Sequence, residues 1–131
     1  MNFNKTTAYA LQILDFLSRN EKERFSAADL HSRLKIPRQY LRQLLTSLSK
    51  SGFIDSTRGR HGGFTLRRKS SSISVADIIE AVEGLDVVNR CIIGLDECPF
   101  DGVCAMHDTW QAARSGVVKV LKNTSLADLR K

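Results

Sequence analysis

Three cysteines and a histidine fall close together within residues 91–107, which read CIIGLDECPFDGVCAMH. Six residues separate Cys91 from Cys98, five separate Cys98 from Cys104, and His107 lies three positions further on. Two glycines and a proline interrupt this segment, so we expect the cysteines to lie on a loop. Thiolates are soft ligands suited to zinc, copper(I) and iron–sulfur clusters. The segment is therefore predicted to be a metal or redox site.

The residue types alone leave the chemistry of this site open. Three thiolates and one imidazole also make a structural zinc site, although zinc ligands usually come in closer C-x2–4-C pairs. The cysteines could instead act without metal, as a thiol switch that uses disulfide chemistry, or be ordinary structural thiols. An odd number of cysteines argues against a closed disulfide framework.

Features of a membrane or secreted protein are missing from the sequence. No run of eighteen or more apolar residues occurs, and the first residues, MNFNKTTAYA, lack the pattern of a secretory signal. We therefore expect a cytoplasmic protein without membrane association, in a compartment where thiols stay reduced. Paired catalytic acids, a nucleophile motif and a nucleotide-binding glycine pattern are also missing, so an enzyme is not expected.

Positive charge is concentrated in the first half of the chain. Residues 1–70 carry 14 Lys and Arg against 5 Asp and Glu, a net charge of +9. Residues 71–131 carry 6 against 9, a net charge of −3, which together give the total of +6. This uneven division favours an anionic partner such as nucleic acid for the basic half.

Apolar residues at helical spacing predict three helices in the basic half. Residues 3–20 carry the first such stripe. The second helix should begin after Ser26, because Ser26 and Asp29 have capping-box spacing. The third should have Pro37 as its first residue and end at Gly52. Two helices joined by a short link, the second of them basic on its outer face, are typical of a helix-turn-helix.

A basic β-hairpin is predicted directly after the third helix. Residues 53–57 and 64–67 have the composition of short strands, and the connection RGRHGG between them is rich in glycine and cations. Such a hairpin after a helix-turn-helix is a wing that can reach phosphates or the minor groove.

Side chains suited to DNA recognition lie on the third helix and on the wing. Arginine pairs with guanine and glutamine with adenine through two hydrogen bonds, each pair contributing roughly 1–3 kcal/mol of discrimination. On the helix the predicted DNA contacts are Arg38, Gln39, Tyr40, Arg42 and Gln43; on the wing they are Arg58, Arg60 and His61.

The second half is predicted to contain two more helices. One begins after Ser74 and ends at Gly84, and a longer one covers about residues 104–122. Apolar residues of the long helix recur at alternating spacings of four and three, close to a coiled-coil seam. We therefore predict a mostly α fold with a small β-wing, in which residues 1–72 form a winged helix-turn-helix domain. Residues 73–131 would contain the sensor cysteine loop (residues 89–107) and a dimerisation helix.

The order of these segments resembles the Rrf2 family of bacterial transcription regulators. The similar stretches are PRQYLRQLLTSLSKSGFI, STRGRHGGFTL, SVADIIEAVEG, the three cysteines and KVLKNTSLADL, which together cover nearly the whole chain. The resemblance implies a winged-helix homodimer, joined through the long C-terminal helix, that binds double-stranded DNA at a partly palindromic operator. Members such as the iron–sulfur cluster regulator and the nitric-oxide-sensitive repressor carry a cluster on three matching cysteines.

The same resemblance implies a ligand set. Cys91, Cys98 and Cys104 match the family's cysteines, and His107 matches the histidine ligand of the cluster-assembly regulator. In some nitric-oxide-sensing relatives the partner's first helix supplies an aspartate, but the matching stretch here, TAYA at residues 7–10, has no carboxylate. The resemblance therefore favours a 2Fe-2S cluster on these four residues, with 4Fe-4S as the alternative. The first cysteine gap is six residues, where five is common in relatives of the cluster-assembly regulator.

Three functional hypotheses follow. The first is a DNA-binding regulator controlled by an iron–sulfur cluster that responds to iron–sulfur, redox or nitric oxide status. The second is a metal-free thiol-switch regulator. The third, from a different class, is a small iron–sulfur electron carrier whose basic half docks an acidic partner.

Overall fold

The computed structural model describes residues 4–86 and 106–130. The helices in these ranges are α1 (Lys5–Arg19), α2 (Ala27–Leu34), α3 (Arg38–Lys50), α4 (Val75–Val82) and α5 (His107–Asn123), and the strands are β1 (Ile54–Thr57) and β2 (Gly63–Leu66). Short 3-10 helices cover Ser70–Ser72 and Ala127–Arg130. The predicted architecture, mostly helical with a small β-hairpin after the third helix, is confirmed.

The first helix occupies the centre of the core and packs against α2, α3, α4 and β2. Its apolar stripe is Ala10, Ile13, Leu14 and Leu17, none of which is more than 1% exposed. The helical period places these four side chains on one face. Four leucines give α3 an equally buried face, and burying each such side chain contributes about 1.5–3 kcal/mol. Both predicted stripes are confirmed.

Side-chain caps set where α1, α2 and α4 begin. Ser26 and Asp29 form the predicted capping box, with the Ser26 N–H 3.0 Å from the Asp29 carboxylate. This backbone hydrogen bond holds the pKa of Asp29 below its ordinary value. The start of α3 differs from the prediction by one residue. Pro37 is not the first helical residue but the one before it, and its carbonyl accepts the Leu41 N–H at 3.0 Å.

A carboxylate from the end of α4 holds the first turn of α1. Glu83 accepts hydrogen bonds from the Thr7 hydroxyl at 2.5 Å and from the Asn4 N–H at 3.4 Å. A negative charge at a helix N-terminus is favourable because the unpaired N–H groups there carry partial positive charge. The end of α4 is thereby attached to the start of α1.

The two strands of the wing pair antiparallel, with Ile54 opposite Leu66 and Thr57 opposite Gly63. A further isolated bridge joins Phe25, just before α2, to Phe64 in β2. The strand β2 is therefore held on its second edge, close to the tip of the hairpin, by the α1–α2 connection.

The chain returns to the core after α5. Ser74 and Ser125 form an antiparallel bridge, flanked by hydrogen bonds from the Val75 N–H to the Thr124 carbonyl (2.9 Å) and from the Leu126 N–H to the Ile73 carbonyl (3.0 Å). Leu126 is fully buried in the cluster that contains the stripes of α1 and α3. The division into residues 1–72 and 73–131 stays a prediction.

None of the helices within residues 4–86 and 106–130 is both long and apolar enough to cross a membrane.

Candidate nucleic-acid interface and cysteine segment

The outer face of α3 is open to solvent because its four leucines hold the opposite face in the core. Arg38, Gln39, Arg42 and Gln43 are all exposed. Among the described residues, the guanidinium groups of Arg38 and Arg42 take part in neither a hydrogen bond nor an ion pair. The structure therefore places four of the five helix candidates on one accessible surface with their donors unused.

Tyr40 has a different environment from the other four candidates. Its ring lies edge-to-face on Tyr9 of α1, with centroids 5.9 Å apart, and the residue is 44% exposed. Part of Tyr40 therefore packs α3 against α1, and the remaining surface faces solvent.

The link between α2 and α3 is held by His31, a residue that the sequence analysis did not single out. The His31 Nδ1 atom is 2.6 Å from the Ile36 carbonyl oxygen, which requires the proton to be on Nδ1. Lys35 adopts a left-handed conformation with φ of 60°, and Ile36 is fully buried. These contacts determine where α3 begins relative to α2. His31 is an ordinary polar residue in the last turn of α2, and the helix ends at Lys35 without a glycine. Nothing in the local sequence therefore indicates that His31 holds this link.

The wing tip depends on its glycines. Gly59 has φ of +107° and its carbonyl accepts the Gly62 N–H at 3.0 Å. A Cβ on Gly62 would collide with the Thr57 carbonyl, and a Cβ on Gly63 would lie 2.8 Å from the Phe25 carbonyl oxygen. The tight turn formed in this way carries the exposed cations at the tip.

The three predicted wing residues, Arg58, Arg60 and His61, are exposed. The side chains of Arg58 and Arg60 form neither ion pairs nor hydrogen bonds within the described ranges. The acid nearest to the wing tip along the chain, Asp55, lies 3.8 Å from Arg67 at the other end of the hairpin. The cations on the tip are therefore not neutralised by a described carboxylate.

A further cation, Arg24, lies beside the wing tip and is not predicted from the sequence. Arg24 precedes the bridging residue Phe25, is exposed, and has its Nη1 atom 3.5 Å from the His61 carbonyl oxygen. No local pattern in the sequence indicates this contact, because the two residues are 37 positions apart.

The three predicted cysteine ligands, Cys91, Cys98 and Cys104, lie outside the described residues, as does most of the predicted loop. His107 is described, and it is the first residue of α5 and half-buried. Among residues 4–86 and 106–130, no cluster of three or more His, Cys, Asp or Glu side chains could hold a metal ion.

The long C-terminal helix was predicted at about residues 104–122. In the described part of the chain it covers His107–Asn123. None of its side chains is buried, although it packs against α4. Met106 is 43% exposed and Val120 is 62% exposed, both at positions of the predicted seam. Within the described residues, the helix and the residue before it therefore carry exposed apolar surface.

Residues 3–131 match the model of the family Rrf2, described as an iron-dependent transcriptional regulator. The chain belongs to the Rrf2 family. Protein rrf2 of Nitratidesulfovibrio vulgaris is 32% identical over 117 residues, which cover 89% of this chain and 78% of that protein. The HTH-type transcriptional regulator IscR of Escherichia coli is also 32% identical over 117 residues, covering 89% of this chain and 72% of that protein.

A solved structure extends the similarity to the fold. CymR, the global cysteine regulator of B. subtilis, is similar with a TM-score of 0.82 and 28% identity, covering 98% of this chain and 95% of that one. This Rrf2 protein is therefore a winged-helix, DNA-binding transcription regulator and not an enzyme. The predicted family and fold are confirmed, whereas the individual DNA contacts and metal ligands stay predictions.

Proposed function

We propose that this Rrf2 protein binds a partly palindromic DNA operator as a homodimer, and that an iron–sulfur cluster on residues 91–107 controls the binding. The observation that carries the DNA part is the set of exposed arginines on α3 and on the wing tip that have no partner among the described residues. Unpaired cations on an accessible surface favour phosphate contacts, and α3 has the shape and side chains for the major groove. We expect the protein to act in the cytoplasm, where its cysteines remain reduced.

The donor set of the cysteine segment fits an iron–sulfur cluster. Three thiolates and one imidazole are ligands that such clusters accept. The ring of His107 forms no hydrogen bond within the described residues, so its nitrogens are available. We assign Cys91, Cys98, Cys104 and His107 as the ligands of a 2Fe-2S cluster, with 4Fe-4S as the alternative. When bound, the cluster supplies a centre that responds to oxidants, nitric oxide or iron supply.

The chain offers a path from these ligands to the DNA-binding surface. His107 begins α5, which packs against α4. Glu83, at the end of α4, holds the first turn of α1, and α1 carries the core on which α3 lies. In sequence the cysteine segment thus lies between α4, which contacts α1 and α3, and α5, which contacts α4. Two recognition helices must fit half-sites about 34 Å apart, so a small change in their placement alters affinity.

A specific observation also favours a second candidate function. The similarity to the cysteine regulator CymR covers nearly the whole chain. We therefore keep the metal-free thiol switch on Cys91, Cys98 or Cys104 as the alternative. A structural zinc site on the same residues is a third outcome that the experiment below distinguishes. Membership of a family of transcription regulators argues against the electron-carrier hypothesis.

Replacing Cys98 with Ala should remove the cluster and change operator binding. We expect protein purified without oxygen to contain iron and sulfide and to absorb visible light, and C98A to lose all three properties. Its operator affinity should differ from that of the loaded protein by about 5- to 150-fold, the range typical of allosteric coupling. Iron, sulfide and zinc analysis, optical spectra and binding to candidate operators measure these changes.

Controls separate the alternatives. Asp108→Ala changes the residue beside His107 and should leave iron content unchanged, whereas His107→Ala should lower it. Zinc without iron in the wild-type protein would favour a structural site. Protein that contains neither metal but changes affinity on oxidation would establish the thiol switch. Equal binding of wild-type protein and C98A to every operator under both conditions would refute control by this segment.

The exposed apolar positions along α5 and just before it support a second copy of this chain as the partner of this face. Met106, Trp110, Ala113, Val117 and Val120 follow the spacing of a coiled-coil seam, of which Met106, Ala113 and Val120 are exposed and Trp110 and Val117 are half-buried. A regulator of a palindromic site needs a two-fold symmetric partner, which an isologous helix pair provides.

Val120→Asp should convert the dimer to a monomer. A charge at the seam would be buried without a counter-ion in the dimer, and removing it from water costs several kcal/mol per ion. Sedimentation velocity should give about half the wild-type mass. Ser115→Asp places the same charge at an exposed position away from the seam and should leave the mass unchanged. A V120D protein that remains dimeric would exclude this helix face as the interface.

A further inference from the structure

The connection between α1 and α2 is attached to the wing. Phe25 exchanges two backbone hydrogen bonds with Phe64 of β2, with N–O distances of 2.7 and 3.4 Å. The contact is close enough that only glycine fits at position 63, where a Cβ would lie 2.8 Å from the Phe25 carbonyl oxygen. The Phe25 side chain is itself anchored, since it is 5% exposed and its ring packs on Phe16 with centroids 4.8 Å apart.

Arg24 therefore starts from a well-fixed backbone position beside the wing. Its side chain is exposed, and its Nη1 atom is 3.5 Å from the His61 carbonyl oxygen at the wing tip. This single long hydrogen bond occupies one of the five guanidinium donors, and because its acceptor is an uncharged carbonyl it leaves the positive charge of Arg24 unbalanced. The remaining donors are available to an anion that approaches the tip.

The charges around Arg24 do not neutralise it. Within the described part of the chain, its guanidinium forms no ion pair with a carboxylate. The same connection contains two acids, Glu21 and Glu23, both exposed. Glu21 lines a groove with Arg67, Arg68 and Lys69, beyond the base of β2 and not at the tip. Glu23 is adjacent to Arg24 in sequence, and its negative charge lowers the positive potential around Arg24.

We propose that Arg24 belongs to the DNA interface and contacts a backbone phosphate next to those contacted by the wing tip. The α1–α2 connection then serves as a second phosphate-binding element, joined to the wing by the Phe25–Phe64 bridge. Arg24 also positions the tip through the His61 carbonyl. A phosphate contact of this kind adds affinity for every DNA sequence and carries no base preference. The inference rests on the DNA-binding function of the protein, and its test distinguishes a failure of the Arg24 assignment from a failure of DNA binding itself.

The experiment measures operator affinity between 50 and 200 mM salt for wild-type protein and three Arg24 variants. Each phosphate contact adds about 0.9 to the slope of log K against log salt. Arg24→Ala and Arg24→Gln should each lower the slope by about one, so that their loss of affinity over this range is roughly three- to fourfold smaller than that of wild type. Arg24→Gln keeps a donor for His61 and so separates charge from tip positioning. Arg24→Lys should keep the wild-type slope.

Lys22→Ala is the matched control, because Lys22 is an exposed cation in the same connection without a described contact to the wing. Its slope should stay closer to wild type than that of R24A. The ratio of operator to random-sequence affinity should be the same for R24A and wild type. A wild-type slope for both R24A and R24Q, or an equal decrease for K22A, would overturn the assignment of Arg24. Wild-type protein that fails to bind any DNA would instead overturn the DNA-binding function itself.

Discussion

Gly62→Ala should deprive the protein of its wing contacts while leaving the helical core folded. A Cβ at this position would collide with the Thr57 carbonyl oxygen and lie 2.9 Å from the Arg58 carbonyl carbon, both of them backbone atoms that cannot rotate away. The turn must therefore open, which moves Arg58 and Arg60 at the tip. Losing two phosphate contacts should lower the salt slope of DNA binding by about two. Strain of this kind costs about 1–3 kcal/mol, equivalent to roughly 5- to 150-fold in affinity if the bound form must restore the turn.

Operator binding at several salt concentrations, together with circular dichroism, measures this effect. Gly116→Ala is the control: Gly116 lies in α5, and a Cβ there would have no atom within 4 Å. G116A should therefore keep the wild-type wing. If G62A binds DNA with wild-type affinity and slope, the wing does not contact DNA in the way proposed.

Leu126→Ala should produce the largest loss of stability among the changes considered. Leu126 is fully buried in the same cluster as the stripes of α1 and α3, although it follows α5 at the far end of the chain. Truncating a buried leucine to alanine removes its burial energy and leaves a cavity, at a cost of about 2–5 kcal/mol. Urea unfolding should register this loss in the free energy of unfolding.

Leu129→Ala is the matched change, since Leu129 is 39% exposed only three residues further on. Its cost should stay near 0.5 kcal/mol, as is usual for surface substitutions. Similar losses for the two variants would mean that residues after α5 do not contribute to the core. A large loss confined to L126A would show that the end of α5 is anchored in the DNA-binding half.

The parts of the fold that could be predicted from sequence are those with local periodicity. The stripe Ala10, Ile13, Leu14 and Leu17 repeats at helical spacing, so α1 and its buried face follow directly. The wing was equally recognisable, because a run of glycines and cations lies between two short strands. Boundaries agreed within one residue at the start of α3 and at both strands of the hairpin.

The contacts that could not be predicted join residues far apart in sequence. The bridge between Phe25 and Phe64 involves a single residue on each side. A single residue cannot produce the repeating pattern by which strands and helices are predicted. The hydrogen bond from Thr7 to Glu83 spans 76 positions and depends on how α1 and α4 pack. Charge composition identified a basic half, but only the three-dimensional arrangement places Arg24 beside the wing tip.

Among the candidate site residues on α3, a ring contact distinguishes Tyr40 from side chains that are exposed in the same way. The five candidates on α3 are all polar or basic, yet among them only Tyr40 forms a ring contact, with Tyr9. The two tyrosines are 31 positions apart in the printed sequence, and a helical pattern within α3 cannot indicate that contact. The cysteine ligands remain a prediction from residue type, spacing and family resemblance.

The bridge between Ser74 and Ser125 has an evolutionary consequence. Ser74 and Ser125 lie side by side, so residues 75–124 form an excursion whose two ends meet, although its first helix, α4, is itself part of the core through Ile78. The entropy of closing such an excursion depends only weakly on its length, since doubling the length costs about 0.6 kcal/mol. Single-residue insertions between these ends, such as the sixth residue between Cys91 and Cys98, can therefore accumulate without moving α3 or the wing. Changes of length that follow α4 therefore leave in place both the core side chains that α4 supplies and the surface that binds DNA.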